Sequence, residues 1–281
     1  MALNLKTLAT RSMSAAVFVV LLIGCVYWNY LSFTIFFFAV SMIGLNEFYK
    51  IAEKLGAKPL KIVGFLIGIL TYFFFVSFSN LTSSTELIIY KITGVILPLI
   101  IIGPFILFSV ALFTRNENAI QSTTFTIGGI IYAVLPFALL NQTVLNTNSD
   151  FEPELILGII FLIWSNDTFA YLGGSLFGKN KMIERVSPGK TWEGTIIGVL
   201  ITFTLSFAFN TLIFKLENHI WPTLGIAIPI LATIGDLVES KLKREAGIKD
   251  SGSIMPGHGG VLDRFDSLIF VSPFVYAFFK L

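Results

Sequence analysis

The residues able to do chemistry crowd into three short stretches after residue 160 of the 281-residue chain. The richest runs from Gly235 to Asp266. It holds Asp236, Glu239, Ser240, Lys241, Lys243 and Arg244, then Lys249 and Asp250, then Pro256-Gly257-His258-Gly259-Gly260-Val261-Leu262-Asp263-Arg264-Phe265-Asp266. Asp236, Ser240 and Lys243 recur at i, i+4 and i+7, one face of a helix. Asp263 and Asp266 recur at i, i+3 on another. The glycines around His258 let the backbone approach a neighbour closely. Two acidic helix ends flanking a basic, glycine-rich loop have the composition of a metal–nucleotide phosphate site, because Mg²⁺ is held by one or two carboxylates plus substrate phosphates. An ordinary cytoplasmic loop would explain the sign of these charges. It would explain neither the glycines nor the acids at a membrane edge.

The second stretch is Ser187-Pro188-Gly189-Lys190-Thr191-Trp192-Glu193-Gly194. Its Gly-Lys-Thr is not a P-loop, since Glu184 stands where that motif needs its first glycine. Backbone amides at a helix start, with Lys190 and two hydroxyls, still suit an anion; a capped helix start with interfacial lysines accounts for the spacing equally well. The third stretch is Trp164 to Gly174. Asp167, Tyr171, Gly174 and Gly178 share one helical face, and a carboxylate inside an apolar span points to function. The plainer reading is a helix-packing stripe of small residues. In the first half, Glu47 and Glu53 read as solvated ends of the second helix.

These stretches must be carried by membrane helices. The chain is 55% hydrophobic and 13% charged, with mean hydropathy +0.83 and 29 Phe, against about 25% charged in soluble domains. Segments long enough to span, about 20 residues each, fall near 13–29, 31–48, 60–79, 87–113, 124–146, 154–178, 192–214, 221–239 and 261–280. The first is expected to be an uncleaved membrane helix. The first two nearly touch, so eight spans compete with nine. With the N-terminus in the cytoplasm and the C-terminus outside, all of the 19 lysines and arginines except Lys91, Lys215 and Lys280 lie inside, as positive charge does in membrane proteins. The expectation is an all-α, polytopic bundle forming one integral-membrane domain, multi-pass in the cell membrane. Residues 1–150 are then mainly hydrophobic scaffold, and 151–281 carry the site on the cytoplasmic face.

At Ser240 to Asp266 the sequence resembles the CDP-diacylglycerol synthase (phosphatidate cytidylyltransferase) family. The resemblance is carried by Ser240, Leu242, Lys243, Arg244, Lys249, Asp250, His258, Gly259, Gly260, Val261, Asp263, Arg264, Phe265 and Asp266, without a gap. Met255 stands where Leu, Ile or Phe is usual. The Asp167 and Ser187–Gly194 stretches also look like the family's other polar segments. The resemblance implies the reaction CTP plus phosphatidate to CDP-diacylglycerol plus pyrophosphate, dependent on Mg²⁺ with Mn²⁺ as a substitute. It implies that Asp236 and Asp263 hold the metal, with Asp167 and Asp266 as further ligands or orienting groups. Lys243, Arg244, Lys249 and Arg264 would neutralise phosphates. Ser187, Lys190 and Thr191 would form a second phosphate cradle, Ser240 and Asp250 would contact substrate, and His258, Gly259 and Gly260 would shape the nucleotide pocket. The partners expected are CTP and bilayer phosphatidate, not nucleic acid, with a homodimer left open. A secondary transporter would place its acids near the midplane in paired repeats, and no second half mirrors these. A CTP-dependent lipid kinase is the nearer competitor, distinguished by the mass of its product.

Overall fold

Asn29 ends one apolar helix and starts the next. Its backbone is extended, its side chain accepts from Ser32 N at 2.8 Å, and Ser32 Oγ accepts from Asn29 N at 3.2 Å, a reciprocal cap that satisfies two otherwise orphaned donors. The chain therefore breaks between α1 (Leu5–Trp28) and α2 (Tyr30–Lys54). The computed structural model describes residues 5–78, 86–114, 117–145, 150–209, 220–255, 257 and 259–280. The remaining helices are α3 (Lys61–Phe78), α4 (Glu86–Phe113), α5 (Ala119–Gly129), α6 (Leu135–Thr143), α7 (Pro153–Phe177), α8 (Trp192–Phe209), α9 (Ile220–Glu245) and α10 (Leu262–Lys280). Helices α5 and α6 join through a π turn, Ile130–Val134. Pro136 follows it and has no N–H to give to the helical ladder.

Each segment expected to span has a helix over most of it. Among the described residues, five helices are long and apolar enough to cross a membrane: Tyr30–Lys54, Val95–Phe113, Ala119–Thr143, Pro153–Phe177 and Ile220–Glu245. Ser12–Trp28, Lys61–Val76 and Trp192–Ala208 are shorter apolar helices. Val95, Leu99, Phe105, Leu112 and Phe113 on α4 are exposed, an apolar surface suited to lipid rather than water. This is a membrane protein built of helices, and its described residues also include a short hairpin. Residues 181–191 form a two-stranded antiparallel hairpin, β1 (Lys181–Ile183) and β2 (Ser187–Thr191), with Lys181 opposite Thr191 and Ile183 opposite Ser187.

The backbone divides into two compact units. One comprises Met1–Phe151 and Glu245–Arg264, the other Glu152–Arg244 and Phe265–Leu281. Residues 245–264 thus cluster with the N-terminal half rather than with the helices that flank them. In the first unit, buried polar side chains tie helices that lie far apart in sequence. Thr34 Oγ1 donates to Asn141 Oδ1 at 2.8 Å, Asn141 Nδ2 to Tyr72 Oη at 2.9 Å, and Tyr72 Oη to Thr34 O at 2.8 Å. Phe37 stacks on Phe137 beside them. In the second unit α7 and α8 approach closely at Gly194, where an added Cβ would lie 2.9 Å from the Gly174 backbone. The stripe at Gly174 thus does pack helices, as small residues allow.

Candidate active site

In the second unit, Lys190 and Asp236 come together from stretches that the sequence separates. The hairpin carries Lys190 at the end of β2, and its Nζ sits 2.6 Å from Asp236 Oδ2 on α9. The other carboxylate oxygen accepts from Ser240 Oγ at 3.1 Å, so the i, i+4 relation expected on this face is present. Asp167 lies within electrostatic range of both Lys190 and Asp236, and Asp266 within range of Asp236, Asp167 and Lys243. Three acids and two lysines therefore act on one another here. Asp266 also takes the Ser267 amide at 2.7 Å. Like charges at such range repel, and a cation lowers that cost.

The hairpin is held from below. Thr191 is buried and its Oγ1 accepts from Gly194 N at 3.2 Å, capping α8. Glu193 gathers Lys179 N at 3.1 Å and Asn180 Nδ2 at 2.6 Å. Ser187 is half-buried and pairs with Ile183. This stretch, for which a phosphate cradle and a capped helix start were both open, is a strand that carries Lys190 and ends in the cap made by the Thr191 hydroxyl.

Lys243 makes a close ion pair within α9. It is buried and bonds Glu239 Oε2 at 2.8 Å, with 10% of its side chain and none of that of Glu239 exposed. Arg244, one residue on, is exposed.

The first unit holds the glycine-rich loop, and here one expectation is overturned. Glu47 is not a solvated helix end: it is 2% exposed. Its Oε1 accepts from Val261 N at 3.0 Å, and its Oε2 from Leu262 N and Ser251 Oγ, both at 2.9 Å. The carboxylate closes the N-terminus of α10, where amides lack helical partners. Glu53, by contrast, is accessible and pairs with Lys61 at 2.8 Å. Asp263 Oδ2 takes Ser251 N at 2.8 Å, Ser251 Oγ at 2.9 Å and Gly260 N at 2.7 Å. Gly259 has φ +90°, and Cβ atoms added at Gly259 and Gly260 would run into the carboxylates of Asp263 and Glu47 respectively. The close neighbours that these glycines admit are two acids of the chain itself.

Lys249, Asp250 and Arg264 are exposed, and His258 lies outside the described residues. Among the described residues, no group of three or more His, Cys, Asp or Glu is arranged to hold a metal ion. Glu47 was read as a solvated helix end, Glu239 was named without a role, and Ser251 was not singled out. Glu47 did leave a signal: Val40, Gly44 and Ile51, at helical spacing from it, are all buried.

The chain matches the sequence profile of the cytidylyltransferase family over residues 9–281. It is similar to the phosphatidate cytidylyltransferase of Haemophilus influenzae, 44% identical over 130 residues that cover 44% of this chain and 45% of that protein. It is also similar to the phosphatidate cytidylyltransferase of Staphylococcus aureus, 36% identical over 171 residues, 60% of this chain and 64% of that protein. The same figures describe the Staphylococcus epidermidis protein of that name. The matched region thus spans less than two thirds of each relative.

Proposed function

The chain belongs to the cytidylyltransferase family, and from that footing we propose that it transfers the cytidylyl group of CTP to phosphatidate, giving CDP-diacylglycerol and pyrophosphate. The observation that carries the reading is the Lys190–Asp236 pair at 2.6 Å with Asp167 in electrostatic range. It joins a cation that can meet phosphate oxygens with carboxylates that could hold a divalent cation beside them.

Phosphatidate is a phosphate monoester with a second pKa of about 6, so at neutral pH it is mostly dianionic and needs no protein base. Its oxygen attacks the α-phosphorus of CTP. The new P–O bond forms as the bond between the α-phosphorus and the bridging oxygen breaks, and that oxygen leaves with pyrophosphate. What remains for the protein is to orient the two phosphates and offset their charge. Lys190 does this from the hairpin. Arg244, Lys249 and Arg264 are exposed, and the sequence signature assigns them contacts to phosphate. Asp236 and Asp167, both in the second unit, would hold Mg²⁺ or Mn²⁺. The donor set fits a hard cation whose shell phosphate oxygens complete, rather than a closed protein cage. Such a cation supplies charge neutralisation at the phosphates.

The protein is read as multi-pass, with its N-terminus and these polar segments on the cytoplasmic side, because all but three of its 19 lysines and arginines then lie inside. The test is incubation of the purified protein with CTP, Mg²⁺ and phosphatidate, followed by mass analysis of the lipid. A cytidylyl adduct supports the reading. A lipid gaining only a phosphate, most tellingly from diacylglycerol, overturns it in favour of a kinase.

A further inference from the structure

Glu47 is a buried acid that the reaction itself does not call for. It stands on α2, 204 residues before Ser251 and 215 before Leu262, yet both bond to its Oε2. The donors it meets are two backbone amides and one hydroxyl, all from the segment that carries the family resemblance. Ser251 Oγ lies 2.9 Å from Glu47 Oε2 and 2.9 Å from Asp263 Oδ2. One hydroxyl proton thus serves two acids, and the position of either bears on the other. Gly260 leaves the space that Glu47 occupies: a Cβ there would lie 2.6 Å from Glu47 Oε1.

We propose that Glu47 is a positioning residue for the catalytic loop, fixing Ser251 and the start of α10 so that Asp263 and Arg264 are held in place for the phosphates. This rests on the function proposed above. It differs from a purely structural role in that the loop can loosen while the helices stay folded. The substitution that separates the two is Glu47→Gln. It keeps volume but replaces one acceptor oxygen with an N–H₂ group, which must face either Val261 N–H or Leu262 N–H. Neither amide can accept from it.

The experiment uses the full chain in detergent micelles and reads two quantities, amide hydrogen exchange and steady-state kinetics. In Glu47→Gln, exchange in segment 259–264 should speed up about tenfold or more, while exchange in α7 stays as in the wild type. The kcat should fall about tenfold or more with KM for CTP changed less than about threefold, the split expected when orientation rather than binding is lost. Ser251→Ala should act in the same direction, and the double variant should be less impaired than the product of the two single effects. If Glu47→Gln yields no folded protein, Ser251→Ala, which leaves the bonds to Val261 and Leu262 in place, is read by the same two measurements. Unchanged exchange, faster exchange with unchanged kcat, or full multiplicativity in the double variant each overturn the proposal. A wild type that makes no CDP-diacylglycerol sinks the functional reading instead, and the exchange measurement then still decides whether Glu47 anchors the loop.

Discussion

Replacing Lys190 separates what its ion pair does for the fold from what its charge does for substrate. At 2.6 Å the attraction to Asp236 is of order 6 kcal/mol at an effective dielectric of about 20, before desolvation is counted. The two side chains keep 24% and 34% of their exposure, so water screens the pair and its net contribution to stability is about 1 kcal/mol. Lys190→Met should therefore lower the melting temperature by only about 2–4 °C. A charge-assisted hydrogen bond to phosphate is larger, about 1.5–3 kcal/mol, and its loss lowers kcat/KM by about 10- to 150-fold. The exchange variant Lys190→Asp with Asp236→Lys restores opposite charges across the same gap. It should recover most of the lost melting temperature and remain inactive, because the cation is now on α9 and the carboxylate on the hairpin. CDP-diacylglycerol formation, followed by mass, and thermal unfolding of the same preparations decide the matter. An exchange variant that regains activity, or Lys190→Met with wild-type kcat/KM, would show that the pair is only a strut.

Asp236→Asn keeps the shape but loses the charge expected to hold a cation, and turnover should drop about a hundredfold or more in a folded protein. EDTA should abolish wild-type activity, and Mg²⁺ or Mn²⁺ restore it; EDTA-resistant turnover would contradict the metal assignment. Gly260→Ala puts a Cβ 2.6 Å from Glu47 Oε1 and should cost about 1–3 kcal/mol in unfolding measurements. Lys243→Met removes the cation 2.8 Å from the buried Glu239 carboxylate and should destabilise by about 3–5 kcal/mol, whereas adding Glu239→Gln should recover part of that loss, since the buried charge goes too. For topology, single cysteines at Lys54, Arg185 and Lys249 in a Cys25→Ser background should all resist an impermeant thiol reagent in intact cells, and labelling at 185 alone would break the orientation.

Hydropathy alone located the helices, because a spanning segment must be apolar over its whole length and no tertiary partner is needed to see that. The signature from Ser240 to Asp266 was equally legible, its residues lying next to one another along the chain. Whether the first two apolar segments are one helix or two was not legible; the reciprocal bonds of Asn29 with Ser32 separate them. The partners of the charged groups were not legible. Lys243 shares a helical face with Asp236, yet it pairs with Glu239. At Thr191 spacing left a phosphate ligand and a helix cap equally open, and the structure shows the cap. Glu47 looked like a solvated end because helical spacing tells which residues share a face, not what that face meets. Its donors arrive from 204 to 215 residues away, and only folding brings such distant groups within hydrogen-bond reach, where a buried carboxylate must find its donors.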